Sequence, residues 1–430
     1  MKNNTQNEKI ARITDATMVV GIDIGSETHY ARAFTNRGIE LSSKPFAFPN
    51  NEEGFAAFQT WAENLMVKNG MTRIMVGMEP TGHYWFNLGA FLLDSGVEIV
   101  HVNPYHVKQS KELDDNSPSK NDRKDPKVIA GLVNGGRYLF PYMPKKDFAE
   151  IRNLSYMHDQ VQEQLIRLKN RFARWTSLYF PEYKGVYSTP DAVSGLMVLR
   201  AAPLPEDIVK LGVDGIIRIW REAKLKGLGR KRAEALVKAA EHSIGYKEGL
   251  GAARMEISYL LEDIERCKAR LAELAPLLEQ AISKIPNTDK LLGIKGIGNR
   301  TVQGFLAEVG DVGRFDNPKQ LQKLAGLAIV ECESGKQKGE HHISYRGRKK
   351  LRYDLFQGAL CVVSKNTEFK EIYEYYRTRK ENPLKKMQAL IAVACKLIRV
   401  FYVILTKGVA YDGTKMLNDI HRRQETGKAA

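Results

Sequence analysis

Five residues in this chain have side chains suited to phosphoryl-transfer chemistry: Asp23, Glu79, Asp122, Asp125 and Ser334. Asp23 lies inside VVGIDIG, where an acid is costly to bury without a cation or a hydrogen-bond partner. Glu79 closes RIMVGME, and Asp122 and Asp125 stand in NDRKDP. Four carboxylates gathered at one place would repel one another unless divalent cations neutralised them. Mg²⁺, or Mn²⁺ in its place, takes oxygen ligands and keeps positions open for substrate phosphate oxygens. A pair of such ions stabilises both the attacking and the leaving oxygen of an in-line displacement. Ser334, in the tripeptide ESG, is a weak nucleophile that needs a base or a metal to activate it. His341 and His342 follow it, with no evident triad. Taken singly, most acids are solvated surface charges and most Ser-Gly pairs are turns.

The elements that must position these groups are readable from periodicity. MVVGIDI (18–24), THYARAF and LSSKPFAF read as three antiparallel strands. From Asn50, a plausible cap, Phe55, Phe58, Trp61, Leu65 and Met66 recur at helical spacing. RIMVGME (73–79) is a fourth strand followed by a helix, VEIVHV (97–102) a fifth, and a helix begins near Asp125. Pro126 pushes Asp125 toward the N-cap position. Three antiparallel strands followed by helix, strand, helix, strand, helix is the order of the ribonuclease-H-like fold of RuvC-type resolvases, by analogy of layout. In that layout the positions of Asp23, Glu79 and the Asp122/Asp125 pair converge at one edge of the sheet.

Further on, Ile151, Leu154, His158, Val161, Leu165, Leu168, Phe172 and Trp175 repeat in steps of three and four. Ile257, Leu260, Ile264, Cys267, Leu271, Leu274, Leu278 and Ala281 do the same, which predicts two long helices in coiled-coil packing, the second bent at Pro276. His158 on the first seam reads as a packed core histidine. Within a mixed insert at 181–250 lies LKGLGRKRAEALVKAA, and past Pro286 comes LLGIKGIGNRTVQGFLAEVG. Both have a glycine turn opening a helix, the pattern of a helix-hairpin-helix element whose backbone N–H groups approach a phosphate; a turn joining packed helices has the same sequence. The expected organisation is a disordered 1–16, a RuvC-like domain at 17–142, coiled-coil helices at 148–285, a mainly helical domain carrying the serine at 286–412, and a tail at 413–430. The fold class is thus α/β plus α.

Length alone suggests two or three domains for 430 residues, and 43% apolar content supplies a core. Sixty-six Lys and Arg against 50 acids, a net +16, point to a polyanionic partner. The N-terminus has no apolar signal region, and the apolar stretch ALIAVACKLIRVFYVIL is broken by Lys396 and Arg399, so a membrane is not expected. Cys267, Cys332, Cys361 and Cys395 are widely spaced, as in reduced cytosolic proteins. The expected partner is nucleic acid and the expected location the cytoplasm, at the nucleoid. Cations placed to meet phosphates are Lys120, Lys226, Arg230, Lys231 and Lys295, and the run Arg346, Arg348, Lys349, Lys350 and Arg352.

With these motifs in hand, GIDIG, MEPTGHYW, HVNPYHV, KNDRKD, GIKGIG, FDNPKQLQKLAGL, ESGKQKGEHHISYRGRKKLRYDL and TKGVAYD, the chain resembles the DEDD-type insertion-sequence transposases. More narrowly it is similar to the insertion-sequence one-ten family, with its Piv and MooV invertases. The resemblance implies that Asp23, Glu79, Asp122 and Asp125 occupy the metal-site positions, with Pro126 standing where a small residue is usual. It implies that Ser334 attacks the scissile phosphate to form a covalent protein–DNA intermediate, completed by carboxylates of a partner subunit. It also implies a guiding bridge RNA in some members, and homo-oligomers, dimeric or tetrameric. Three other readings stay open. One is a junction nuclease in which water attacks; another is a catalytically idle nucleic-acid-binding protein. The third is an actin-like sugar kinase, for which GIDIGSETH would be a first phosphate loop and VDGII (213–217) or YDGTK (411–415) the second.

Overall fold

Strand β1 (Thr17–Asp23) is buried at every position but its last, as befits a central strand covered on both faces. In the computed structural model, which describes residues 5–80, 82–114, 125–227, 229–330, 333–334, 337–338 and 342–418, the chain forms two units, Met1–Met143 and Pro144–Ala430.

The first unit opens with α1 (Gln6–Ala11) and β1, followed by β2 (Thr28–Phe34), β3 (Phe46–Pro49), α2 (Glu52–Lys68), β4 (Arg73–Met78) and α3 (Trp85–Asp94). β5 (Glu98–Val102), α4 (Pro104–Asp114), α5 (Asp125–Asn134) and β6 (Tyr138–Leu139) complete it. Sheet order is β3-β2-β1-β4-β5-β6. β2 is antiparallel to both β1 and β3, β4 and β5 run parallel to β1, and β6 turns back at the edge. This mixed α/β sheet is the ribonuclease-H-like arrangement that the order of elements predicts.

Alternation sorts the two faces. Met18, Val20, Ile22, Val76 and Met78 pack on Phe55, Phe58, Leu88 and Leu92 of α2 and α3. Val19, Met75 and Val100 pack on Val128, Ile129 and Val133 of α5. Two expectations need correction here. The cap of α2 is Asn51, whose side chain accepts from the Gly54 N–H at 2.9 Å, while the Asn50 side chain donates to the Ser26 carbonyl. Residues 5–16 are ordered, not disordered. Gln6 donates to the Gly135 carbonyl, the Lys9 backbone and Tyr138 hydroxyl bond at 3.0 Å, and Ile13 enters the core.

In the second unit α6 (Lys146–Tyr179) leads to a wholly helical insert: α7 (Tyr183–Val186), α8 (Val193–Ala201), α9 (Pro205–Glu222) and α10 (Arg230–Glu241). Then comes α11 (Leu250–Ser283), continuous through Pro276. α6 and α11 lie antiparallel, since Ile151 and Leu154 share a core with Leu274 and Leu278 while Leu165 to Trp175 share one with Ala253 to Cys267. Trp175 Nε1 donates to the Ala253 carbonyl at 3.0 Å, so these apolar seams meet inside one chain.

The remainder comprises α12 (Thr288–Leu292), α13 (Asn299–Val309), a 3-10 turn (Val312–Arg314) and α14 (Pro318–Leu324). Short strands β7 (Ile329–Val330), β8 (Glu333–Ser334), β9 (Gln337–Lys338) and β10 (His342–Ile343) follow, and then α15 (Lys349–Lys365), α16 (Thr367–Thr378) and α17 (Lys386–Lys407). α17 is long and apolar enough to cross a membrane, but its Ala389, Val393, Leu397, Phe401 and Ile404 are buried in the core of this unit with Phe305.

Candidate active site

Asp23 and Glu79 are brought side by side by strand register. β1 and β4 run parallel with Gly21 opposite Gly77 and Ile22 opposite Met78, so each acid immediately follows the last matched pair. Neighbouring strands lie about 4.8 Å apart. Because side chains alternate, both acids share the sheet face of Gly21 and Gly77, the face that α5 covers.

Those two glycines form the seat for α5. A Cβ on Gly21 would lie 1.9 Å from the Pro126 carbonyl oxygen, and one on Gly77 would lie 2.5 Å from Val133 Cγ2. The first turn of α5 therefore rests directly on β1, two positions from Asp23. Asp125 is the first residue of that helix and is buried. Pro126 is tolerated in this turn because the missing N–H has no partner there in any case. A carboxylate in the first turn is also favoured by the helix dipole. Asp122 and Lys120 lie outside the described residues.

The all-oxygen donor set suits a hard divalent cation such as Mg²⁺ or Mn²⁺ in type. Among the described residues no three His, Cys, Asp or Glu side chains stand close enough together to hold an ion. The described part of the set is thus a register-matched pair with Asp125 on the adjoining helix. Sequence reasoning found the acids but passed over Gly21 and Gly77. Their signal was present, since both strands read Val-Gly-apolar-acid, VGID and VGME.

Ser334 sits in the second unit, on a narrow ribbon. β7 and β10 pair at its base through Ile329 and Ile343, and β8 and β9 pair through Ser334 and Gln337. The ribbon is anchored where it returns. The Tyr345 N–H bonds to the Gly326 carbonyl at 3.1 Å and the Arg348 N–H to the Leu324 carbonyl at 2.7 Å. The basic run splits in two. Arg348 reaches the carbonyl and carboxylate of Glu308, Lys350 pairs with Asp354 at 3.0 Å, and Arg352 donates to the Ala325 carbonyl at 2.9 Å. Arg346 and Lys349 are exposed, with no polar partner among the described residues.

Lys350 also belongs to a polar hub linking three helices. Asp159 of α6 accepts from Arg300 of α13 at 2.6 Å and pairs with Lys350 of α15 at 3.1 Å. Burial by itself would raise the Asp159 pKa. Hydrogen bonds from His158, Arg300 and Lys350, with the Arg300 charge, overcome it and hold the carboxyl well below the usual range. His158, expected as a packed core residue, instead places Nδ1 3.1 Å from the Arg300 guanidinium. The apolar seam of α6 is interrupted here by ion pairing.

Both glycine turns share one backbone geometry. Gly227 and Gly296 are left-handed (φ 75° and 97°), and Gly229 and Gly298 are extended caps of α10 and α13. A Cβ at either cap would meet nothing within 4 Å, so the space beside both caps is open. Lys226, Lys231 and Lys295 beside them are exposed. Arg230 pairs with Asp214 and Glu234. VDGII lies within α9, and Tyr411 and Asp412 lie beyond α17 in no strand, so neither supplies the second strand-borne phosphate loop of a sugar kinase.

Comparison with known proteins adds to this geometry. A family model for the DEDD transposase domain of IS110-type elements, described as a transposase, matches residues 20–181. A second, described as the transposase IS116/IS110/IS902 family, matches residues 288–374. The insertion element IS900 uncharacterized 42 kDa protein of Mycobacterium paratuberculosis is 22% identical, over 91% of this chain and 96% of its own. The IS116 uncharacterized 44.8 kDa protein of Streptomyces clavuligerus is 23% identical, over 90% and 94% respectively. The transposase for insertion sequence element IS1111A of Coxiella burnetii is 22% identical, over 78% and 79%.

Proposed function

The chain belongs to the IS110 family of insertion-sequence transposases, DNA-cleaving and rejoining enzymes, and from that premise we propose that Ser334 is its nucleophile and Asp23, Glu79, Asp122 and Asp125 its metal-binding set. The observation that carries the reading is the matched pair of glycines. Gly21 and Gly77 let α5 settle on the sheet, and the acids two positions beyond them share the face on which Asp125 begins its helix.

In this reading the Ser334 hydroxyl loses its proton and attacks the scissile phosphorus. A phosphoserine ester forms, the bond to one deoxyribose oxygen breaks, and that oxygen leaves with a proton. The ester keeps the phosphodiester energy, so strands rejoin without an external energy source. Mg²⁺ or Mn²⁺, held by the four carboxylates, would neutralise charge on the phosphate and favour the serine alkoxide. Arg346 and Lys349, with Lys226, Lys231 and Lys295, would meet DNA phosphates, while Arg348, Lys350 and Arg352 hold the ribbon. The glycine turns would add backbone contacts in the manner of helix-hairpin-helix elements. A bridge RNA guiding target choice and a dimer or tetramer built on the long helices, in which a partner supplies the carboxylates, complete the proposal.

The test is to incubate the protein with element-end DNA, any RNA encoded beside the gene, and Mg²⁺, and to look for DNA covalently attached to protein. Ser334→Ala should abolish the adduct, a loss of roughly a thousand-fold or more. Asp23→Asn should lower it roughly a hundred-fold or more. Cleavage that survives Ser334→Ala with free ends would replace the serine by water.

A further inference from the structure

Tyr345 occupies a left-handed backbone conformation (φ 53°) that suits glycine and is an outlier for a bulky residue, yet its side chain is 63% exposed. It contributes nothing to the core, so packing does not explain why a tyrosine is held there. The turn that carries it is built to stay put. Besides the backbone bond from Tyr345 to Gly326, Ser344 bonds to Ala328 at 2.8 Å. A Cβ on Gly347 would lie 2.4 Å from the Gly326 nitrogen, so the two backbones touch. Arg352 lies over one face of the Tyr345 ring at 5.3 Å while its guanidinium bonds to the Ala325 carbonyl, which fixes the ring from below.

An exposed aromatic ring held rigidly, backed by a guanidinium and flanked by the exposed cations Arg346 and Lys349, has the makings of a base-stacking platform. Its position bears on the chemistry. Tyr345 lies two residues beyond β10, and the chain from Gln337, the register partner of Ser334, to Tyr345 can reach at most about 30 Å. Charge and geometry both favour a nucleic-acid strand as the occupant, and the family's substrate is DNA.

We propose that the free face of Tyr345 stacks an unpaired DNA base near the cleavage point, while Arg346 and Lys349 take the adjoining phosphates. The platform rests on the reading of this chain as acting on DNA, and not on Ser334 being the nucleophile. Strained backbone at a binding surface is the pattern expected where a side chain is presented and not packed.

The test uses the full-length protein and a single-stranded oligodeoxynucleotide carrying 2-aminopurine, with an oligoribonucleotide and a duplex of the same length as parallel arms. Tyr345→Gly removes the ring and relieves the backbone. It should bind the single-stranded DNA roughly ten-fold more weakly and lose 2-aminopurine quenching, with an unchanged or raised Tm. Tyr345→Phe should keep both, and duplex affinity should not change. Arg346→Ala should instead flatten the salt dependence by about one unit of slope. Full quenching by Tyr345→Gly, a lowered Tm in that variant, or a loss confined to the RNA arm would each overturn the proposal. If no DNA ever becomes attached to the wild type but Tyr345→Gly still loses quenching, the serine reading falls and the platform stands.

Discussion

The carboxylate face of the first unit and the serine ribbon of the second are built on opposite principles. Asp23 ends β1 and Glu79 follows β4, adjacent and largely buried central strands, and their separation is set by a parallel register that extends from Thr17 to Ile22. Ser334 stands on a two-residue strand paired with another two-residue strand. Groups that must hold cations need spacing fixed by a rigid frame. In the proposed reading Ser334 must reach a phosphate, and its ribbon is held by backbone bonds where it returns, at Gly326 and Leu324. The glycines mark the same contrast. In the sheet they let a helix lie on strands, and at the base of the ribbon Gly326 and Gly347 let two backbones cross.

The strongest way to break this comparison is to fill the seat under α5. Gly21→Ala drives a Cβ into the Pro126 carbonyl, a backbone atom that cannot rotate away. We expect a cost of about 3 kcal/mol, the upper end for overpacking, and loss of DNA cleavage as the turn carrying Asp125 lifts. Gly77→Ala meets the end of the Val133 side chain, which can turn aside, and should cost about 1 kcal/mol. Urea unfolding of both variants checks the pair. Equal costs would mean that the helix floats over the sheet and does not position the acids.

How much of this was legible in the sequence follows from the same physics. The sheet order could be read because each strand alternates or runs apolar, and Asp23 stood out because an acid is expensive in such a run. The seat was not read, because glycine carries no side-chain pattern and its meaning depends on what lies above it. The two long helices were legible from their repeats. Their pairing partner was not, since a seam is the same whether it meets its own chain or another. Arg348, Lys350 and Arg352 looked like phosphate ligands because charge is visible in sequence while its partners, Glu308, Asp159 and the Ala325 carbonyl, are far away in it.

The second prediction acts on the ribbon's anchorage. Asp159→Ala would leave Arg300 and Lys350 facing each other without the anion between them. Breaking a fully buried pair costs about 3–5 kcal/mol. Asp159 keeps 18% of its side chain exposed, so about 2 kcal/mol is expected, measured by urea unfolding of the second unit. The unfolding of the first unit should not move. A shift in both would mean that the hub is not local to the ribbon.

Acid should separate the two regions by a smaller margin. Two histidines of the sheet lie in apolar surroundings: His29, buried and packed between Phe48 and Phe55, and His101, half-buried and edge-on to Trp85, its Nε2 unbonded among the described residues. Burial lowers both, His101 to about 4 from the ordinary 6.5, with Asn50 partly opposing the shift at His29. The folded unit therefore favours neutral imidazole, and the unfolded chain binds the extra proton first. Stability contributed by His101 is complete above about pH 6.5 and drains as pH falls toward about 4, by at most about 1.4 kcal/mol per pH unit. Asp159 has the same sign but a lower window, because its stabilisation is present above the ordinary carboxylate pKa of 3.8 and goes only as pH falls through its depressed value. The first unit should thus weaken between pH 6.5 and 4 while the second holds. Trp85 against His101 gives a local fluorescence report of the first change, and Trp175 and Trp220 lie in the second unit. His101→Phe should flatten the early loss, and a wild type whose two units weaken together below pH 4 would show that buried imidazoles do not set the acid limit of the sheet.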